Sequence, residues 1–440
     1  MSYQVTAFDR AGNASTPAGP AGRGTDNGAP STPAGLSLLV LPTPDGSDAP
    51  VLGVDFRTSW GASTDIVSGI ARYAVYYGPD PASPSSVRRV SDPFSVFVTG
   101  LESATWTFGV RAEDRAGNVS ELSGPATGHG ATVDRVSGSD RVGTAVAVSA
   151  ATFTSAHTVV FASAAAYPDG LAAASLAGAL HAPVILVGAG VLPKVITDEL
   201  TRPGAVDGYV IGGTPAVSSA TFSSIDGRLT GALTRLSGPD RYATAAAVAT
   251  AVAGIEGPRR RVYVVSGENF PDALSCGSAA YAEAAPILFA RNLSLPGVTA
   301  RAVQSVEATG CIIVGSVGAV FGGLEAQLPG AFRIGGADRY ATSAAFADWA
   351  IGHGILTAAR PVVVTGATFP DGLACSPLAG ERNGPVLLID TVGLDPLPWL
   401  NLHRAQIQRM TVIGGTAVIP DTAKRILWWR LTSPRTPSPF

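Results

Sequence analysis

The sequence predicts a multidomain protein: a small antiparallel β-sandwich, then three similar α/β units with mainly parallel sheets. Three observations carry this. One phrase recurs about a hundred residues apart. It reads Arg-Val-Ser-Gly-Ser-Asp-Arg-Val-Gly-Thr-Ala at 135–145, Arg-Leu-Ser-Gly-Pro-Asp-Arg-Tyr-Ala-Thr-Ala at 235–245 and Arg-Ile-Gly-Gly-Ala-Asp-Arg-Tyr-Ala-Thr-Ser at 333–343. The same landmarks follow each copy: Tyr-Pro-Asp-Gly-Leu, Phe-Pro-Asp-Ala-Leu or Phe-Pro-Asp-Gly-Leu, beginning at Tyr167, Phe270 and Phe369, then a Pro-led apolar run at Pro183, Pro286 and Pro385. Ahead of the copies, residues 53–123 alternate polar and apolar in short runs, the pattern of half-buried strands. A repeat of this length is a small domain rather than a solenoid unit.

The front has strand-like runs at 54–57, 73–77, 94–98 and 106–112, separated by turn residues. This is the pattern of an antiparallel sandwich. The opening run, Tyr3-Gln4-Val5-Thr6-Ala7-Phe8-Asp9-Arg10-Ala11-Gly12-Asn13, repeats the end of that module, Val110-Arg111-Ala112-Glu113-Asp114-Arg115-Ala116-Gly117-Asn118. It reads as the end of a preceding, truncated copy, and no leader pattern follows Met1. Residues 15–33 are mostly Pro, Gly, Ala, Ser and Thr, a linker composition. Asp114 and Asn118 suit a tight turn held by Asx side chains.

The second copy shows the repeat unit best. Residues 241–253 are Ala-rich and fit a helix; 261–265 are a buried strand. A loop at 267–271 leads to a small-residue helix at 272–284. Pro286-Ile287-Leu288-Phe289 is a second strand, 298–307 a helix and 311–315 a third strand. Continuous apolar strands alternating with helices imply a parallel sheet covered on both faces. Ligands of such folds sit at the carboxyl ends of the strands. The loops there include 266–271 and the glycines of Val210-Ile211-Gly212-Gly213, Val314-Gly315 and Val412-Ile413-Gly414-Gly415.

Composition excludes several functions. The chain of 440 residues is 46% hydrophobic and 14% charged, with net charge −3. Residues 1–132 carry 8 basic and 12 acidic groups, and residues 133–440 carry 22 and 21. Neither part is a polycation, against general nucleic-acid binding. No apolar stretch reaches membrane-helix length. Cys276, Cys311 and Cys375 are an odd set rather than a disulfide framework, and no Cys or His stands at metal-ligand spacing. The five histidines take different places, and neither Gly-x-Ser-x-Gly nor His-Glu-x-x-His occurs. No catalytic residue, metal or cofactor is therefore assigned.

The recurring polar residues have two readings each. Arg141, Arg241 and Arg339 stand at helix starts, as forks for an anion or as ion-pair partners of a carboxylate. Asp140, Asp240 and Asp338 before them are expected as N-caps. Asp169, Asp272 and Asp371 are a base or cation ligand in one reading and caps of the next helix in the simpler one.

The Arg-x-x-Gly-x-Asp-Arg-Tyr-x-Thr opening, the Pro-Asp-Ala-Leu loop, the Ala-Pro-Ile-Leu strand and the Val-Ile-Gly-Gly strand together resemble the cell wall binding repeat type 2 family. All three copies fit. The first has Val142-Gly143 for Tyr-Ala, the second Val314-Gly315-Ser316 for Ile-Gly-Gly, and the third Gly384-Pro385 for Ala-Pro. Trp60, Gly100-Leu101 before Trp106, and the ending at 110–118 resemble a fibronectin type III domain. Domains are expected at 33–126, 133–232, 233–331 and 332–433, after a truncated piece and linker at 1–32.

The resemblance implies Rossmann-like or Toprim-like units in a pseudo-threefold group, within a monomer. It implies a non-catalytic anchor holding a secreted protein on a Gram-positive wall through an anionic, teichoic-acid-like polymer. The alternatives are the binding portion of a wall amidase or peptidase, or a surface-fibre segment. The resemblance implicates the Pro-led segments in attachment: Pro183, Val184, Ile185 and Leu186; Pro286, Ile287 and Leu288; Pro385, Val386, Leu387 and Leu388. The bland reading is burial in the sheet.

Overall fold

The computed structural model describes residues 26–41, 54–78, 86–90, 95–101, 105–390 and 397–432. The run at 3–13 and the linker up to residue 25 lie outside them. The chain divides into two compact units, one at 26–41 and 54–129 and one from residue 130 onward.

Among the described residues, the first unit has seven strands: β1 (Ser37–Leu41), β2 (Val54–Ser59), β3 (Ile70–Gly78), β4 (Ser86–Val90), β5 (Ser95–Leu101), β6 (Thr105–Asp114) and β7 (Ala126–His129). They form two antiparallel sheets, β1-β2-β5 and β4-β3-β6-β7. Phe56 of one sheet meets Phe108 of the other at 5.2 Å between ring centroids, so the sheets share one core. Trp60 closes an end against Tyr73. Asp114 makes the expected Asx turn, accepting from the Ala116 and Asn118 amides at 2.8 Å.

The second unit holds the three repeats. The first supplies β8 (Thr132–Val136), α1 (Arg141–Thr152), β9 (Thr158–Ser163), α2 (Ala173–Leu180), β10 (Val184–Val187), α3 (Lys194–Thr201), β11 (Asp207–Ile211) and α4 (Ser219–Asp226). The second supplies β12 (Leu233–Leu236), α5 (Arg241–Glu256), β13 (Arg261–Ser266), α6 (Pro271–Ala282), β14 (Ile287–Ala290), α7 (Gly297–Ser305) and β15 (Gly310–Val314). The third supplies β16 (Phe332–Ile334), α8 (Arg339–Gly352), β17 (Val362–Thr365), α9 (Pro370–Glu381), β18 (Val386–Ile389), α10 (Leu397–His403), β19 (Arg409–Ile413) and α11 (Asp421–Thr432). As expected from the apolar runs, each sheet is parallel and four-stranded.

The strand that opens each repeat joins the sheet of another. The orders are β10-β9-β11-β12, β14-β13-β15-β16 and β18-β17-β19-β8. Thus β12 completes the first sheet and β16 the second. The first strand of the first repeat, β8, closes the third through Thr132↔Arg409 to Val136↔Ile413. The repeats form a closed ring.

Helices α2, α6 and α9 pack on one another along the axis of that ring. Their small residues permit close approach. At one level stand the partly buried Tyr167, Phe270 and Phe369, with centroids 5.5–6.1 Å apart. Next come Leu171, Leu274 and Leu373, all buried. At the far level the equivalent positions are Gly178, Tyr281 and Gly380. A Cβ at Gly178 would overlap the Tyr281 carbonyl, and one at Gly380 would overlap its ring. One large residue fills the space two glycines leave. Each axial helix ends in a left-handed non-glycine residue, His181 (φ 47°), Ala284 (φ 47°) and Asn383 (φ 51°). This threefold recurrence of a costly conformation marks one packing solution used three times.

The Pro-led segments form the outer strands β10, β14 and β18, beside β9, β13 and β17, the second strand of each repeat. An edge tolerates the missing proline N–H. The Pro183, Pro286 and Pro385 carbonyls still accept from Val160, Tyr263 and Val362 at 2.9–3.0 Å. Gly384 replaces the usual Ala because a Cβ there would overlap the Arg360 carbonyl.

Candidate functional site

The recurrent phrase accounts for itself almost residue by residue. Its leading arginine reaches back to the glycine that ends the neighbouring strand. Arg235 donates to the Gly212 carbonyl at 2.7 Å, Arg333 to Gly315 at 3.0 Å and Arg135 to Gly414 at 2.5 Å. Those glycines have φ of +107°, +128° and +115°, which an L-residue rarely adopts. The second residue of each pair is free of that demand, so Ser316 replaces glycine at no backbone cost. The phrase's aspartates are N-caps as expected: Asp140, Asp240 and Asp338 accept from Gly143, Ala243 and Ala341 at 2.8 Å. Its threonines accept from the phrase glycines: Thr144 from Gly138, Thr244 from Gly238 and Thr342 from Gly336.

The arginine after each cap donates to the carbonyl just beyond the second strand of its own repeat, β9, β13 or β17. Arg141 reaches Ala164 at 2.8 Å, Arg241 reaches Gly267 and Arg339 reaches Gly366 at 2.5 Å. Tyr242 and Tyr340 pack on those glycines: a Cβ would lie 2.8 Å from the Tyr242 ring at Gly267 and 2.6 Å from the Tyr340 ring at Gly366. Where the ring is missing, at Val142, the strand is followed by Ala164 instead.

These helix starts face the Pro-Asp loop of the preceding repeat, so three equivalent clefts arise. Asp169 meets Arg241 and Thr244; Asp272 meets Arg339 and Thr342; Asp371 meets Arg141, across the ring closure. The sheet orders and the arginine contacts put all three clefts at the carboxyl ends of the strands. Axial aromatics stand beside the first two, with the Arg241 guanidinium 5.9 Å from the Tyr167 ring centroid and that of Arg339 5.8 Å from Phe270. The second cleft encloses about 230 Å³, lined by Asn269, Asp272, Ser316, Asp338, Arg339 and Thr342 among others.

Asp169, Asp272 and Asp371 correct the simpler sequence reading. None caps a helix. Asp169 has helical dihedrals and makes no cap hydrogen bond, and Asp272 and Asp371 lie inside the first turns of α6 and α9. A Cβ at Gly212, Gly315 or Gly414 would sit 2.6–2.8 Å from the respective carboxylate oxygen. The glycine backbone is therefore laid directly on each acid. Burial pushes all three acids up, opposed by the facing arginine, and Asp272 reaches about 6. Pro before the Asp was the available signal: proline favours the first helical position, which puts the Asp second and leaves it no capping role.

The structure brings Arg141, Arg241 and Arg339 into these clefts. Pro183, Val184, Ile185, Leu186, Pro286, Ile287, Leu288, Pro385, Val386, Leu387 and Leu388 are buried. The loops that follow them carry exposed Val191 and Leu293. Cys276 and Cys375 are buried beside the axis and donate to the Ala273 and Gly372 carbonyls. Among the described residues, the three carboxylates at metal-ligand spacing are Asp26, Asp65 and Asp114 of the first unit, within 4.8 Å of one another. Each cleft between repeats offers two.

The model of the family described as cell wall binding domain 2 matches residues 135–222, 235–325 and 333–424, more than half of the chain. The chain belongs to the cell wall binding domain 2 family. Among curated proteins it is 28% identical over 288 residues to the N-acetylmuramoyl-L-alanine amidase LytC of Bacillus subtilis, covering 66% of this chain and 56% of that one. The chain thus spans about half the length of this relative. Two solved structures share the fold. Cwp6 from Clostridium difficile has a TM-score of 0.63 at 16% identity, over 90% of this chain and 68% of that one. Cwp8 from Clostridium difficile has a TM-score of 0.61 at 21% identity, over 82% and 63%. Family membership places the protein at the cell wall or cell surface.

Proposed function

We propose that this chain is a non-catalytic anchor that holds a secreted protein on the Gram-positive wall by binding an anionic secondary polymer in the three clefts. The observation that carries this is the threefold recurrence of a buried or partly buried carboxylate facing an arginine. Those acids cap no helix. A residue held at a cost to its own ionisation suggests a site. Three similar clefts on one rigid ring suit a polymer with repeating units, because linked weak sites gain by effective concentration. In this reading the Pro-led strands position the loops that rim the clefts. The first unit serves as a fibronectin type III-like spacer, and the protein acts as a monomer. Likeness to an amidase favours a second reading, that the chain is the binding portion of a wall hydrolase; the clefts then keep the same role.

The test is co-sedimentation with purified walls before and after the secondary polymer is stripped. Retention on intact walls and its loss on stripped walls is the expected result; equal retention on both would sink the proposal.

The site acids also predict a pH dependence. Asp272 ionises in the unfolded chain near the usual 3.8 and in the fold near 6. Its folded form is the better proton binder, so its stabilising share is complete below about pH 4 and is lost as pH rises through 6. Asp272→Asn is expected to raise stability at pH 7 by up to about 3 kcal/mol. It should also flatten stability between pH 4 and 6. Denaturant titrations across that range would show it, and a variant less stable than the parent at pH 7 would contradict it.

A further inference from the structure

We infer that each cleft reads the hydroxyl groups of one sugar ring, and that the charged groups of the wall polymer lie outside the clefts. This rests on the anchoring function above and narrows it. Four observations carry it.

The first is charge. Each cleft sets two carboxylates against one guanidinium: Asp169 and Asp240 with Arg241, Asp272 and Asp338 with Arg339, Asp371 and Asp140 with Arg141. With both acids ionised the balance is negative, and a phosphate or carboxylate would be repelled. The second is the state of the helix starts. An uncapped helix N-terminus attracts anions through its free amides and dipole. Here α1, α5 and α8 already hold a carboxylate of their own at that end, so the attraction is spent.

The third is the arginine itself. One arm of each guanidinium is tied to a backbone carbonyl, and its charge faces a buried acid. The remaining N–H groups can donate singly to an oxygen but are not a free bidentate fork. The fourth is the lining of the second cleft. Asn269, Ser316 and the second oxygen of Asp338 offer a mixture of donors and acceptors beside Phe270, on about 230 Å³. A hydroxyl both donates and accepts, and the partly buried ring suits the apolar face of a sugar. A phosphodiester only accepts.

The two ligand chemistries predict opposite signs for one variant. Asp140→Asn, Asp240→Asn and Asp338→Asn combined keeps the caps, since Asn caps about as well as Asp. If hydroxyls are read, the variant loses charged acceptors and wall retention falls, by about tenfold or more across the three clefts. If anions are read, it loses repulsion and retention rises. Equal melting temperatures for parent and variant would confirm that the comparison is of folded proteins.

A second measurement uses the unaltered chain on intact walls. Neutral repeat units, freed from the polymer by hydrofluoric acid cleavage of its phosphodiesters, should displace the protein. Inorganic phosphate should do no more than sodium chloride of equal ionic strength. Unchanged or increased retention of the Asn variant would overturn the inference. So would displacement by phosphate but not by the neutral units. Either result leaves the anchoring function standing, because that is decided by stripped against intact walls.

Discussion

Replacing Arg141, Arg241 and Arg339 together with Gln is expected to lower wall retention by about 10²-fold, far more than any one replacement. Each arginine lies in a different cleft, so on the proposed function a single change leaves two clefts to hold the polymer. The triple change weakens all three, and the avidity collapses. The same side chains carry a structural duty, since each donates to the carbonyl beyond the second strand of its own repeat. A modest stability loss is therefore expected, about 1 kcal/mol per lost hydrogen bond. Circular dichroism and melting must show that the variant is folded before its binding is read. A folded triple variant that sediments with walls like the parent would show that these arginines are not contacts. The loops after the Pro-led strands, with Val191 and Leu293, would then be the leading surface.

Tyr281→Ala is expected to cost about 3–5 kcal/mol, the range for emptying a buried aromatic site. Tyr281 is 4% exposed on the axis, where its neighbours at equivalent positions are glycines that cannot collapse into the space. Its hydroxyl donates to Glu381 Oε1 at 2.7 Å, so Tyr281→Phe should cost only about 1 kcal/mol. Gly178→Ala is expected to be severe for the opposite reason: its Cβ meets the main chain of Tyr281, which has nowhere to move. Denaturant midpoints for the three variants test the axis directly. A Tyr281→Ala loss below about 1 kcal/mol would mean that the axis is loosely packed.

Much of this was legible in the sequence. The β13 and β15 runs are apolar throughout because both faces of their sheet are covered, and that alone separates them from the alternating front. The caps at Asp140, Asp240 and Asp338 follow from their place before an Ala-rich run. The ring closure was not legible. Nothing in Thr132–Val136 distinguishes a strand that pairs within its own repeat from one that pairs with Arg409–Ile413. Parallel pairing is decided by what the intervening helices bring together. The cleft acids were misread because a short Pro-Asp segment before a helix resembles a cap. The departures between copies were visible but unexplained until their neighbours were placed. Gly384 answers Arg360, Ser316 stands beside the one glycine that needs its freedom, and Val142 goes with Ala164.

In the proposed anchoring role the chain works under tension, and β8 decides how that tension is carried. A pull arriving through the chain from the first unit reaches the second at Thr132, the first residue of β8. It is borne by five parallel register pairs with β19 and by Arg135, which grips the carbonyls of Gly414 and Ile419 and the carboxylate of Asp421. Directed along the strand, such a load shears the whole ladder at once instead of peeling it pair by pair. Resistance to force is set by the rate of that opening rather than by equilibrium stability. Just beyond the other end of β8 stand Asp140 and Arg141, at the third cleft. Under that proposal, a load entering through β8 reaches the third cleft across a single clamped strand and leaves the other two sheets slack.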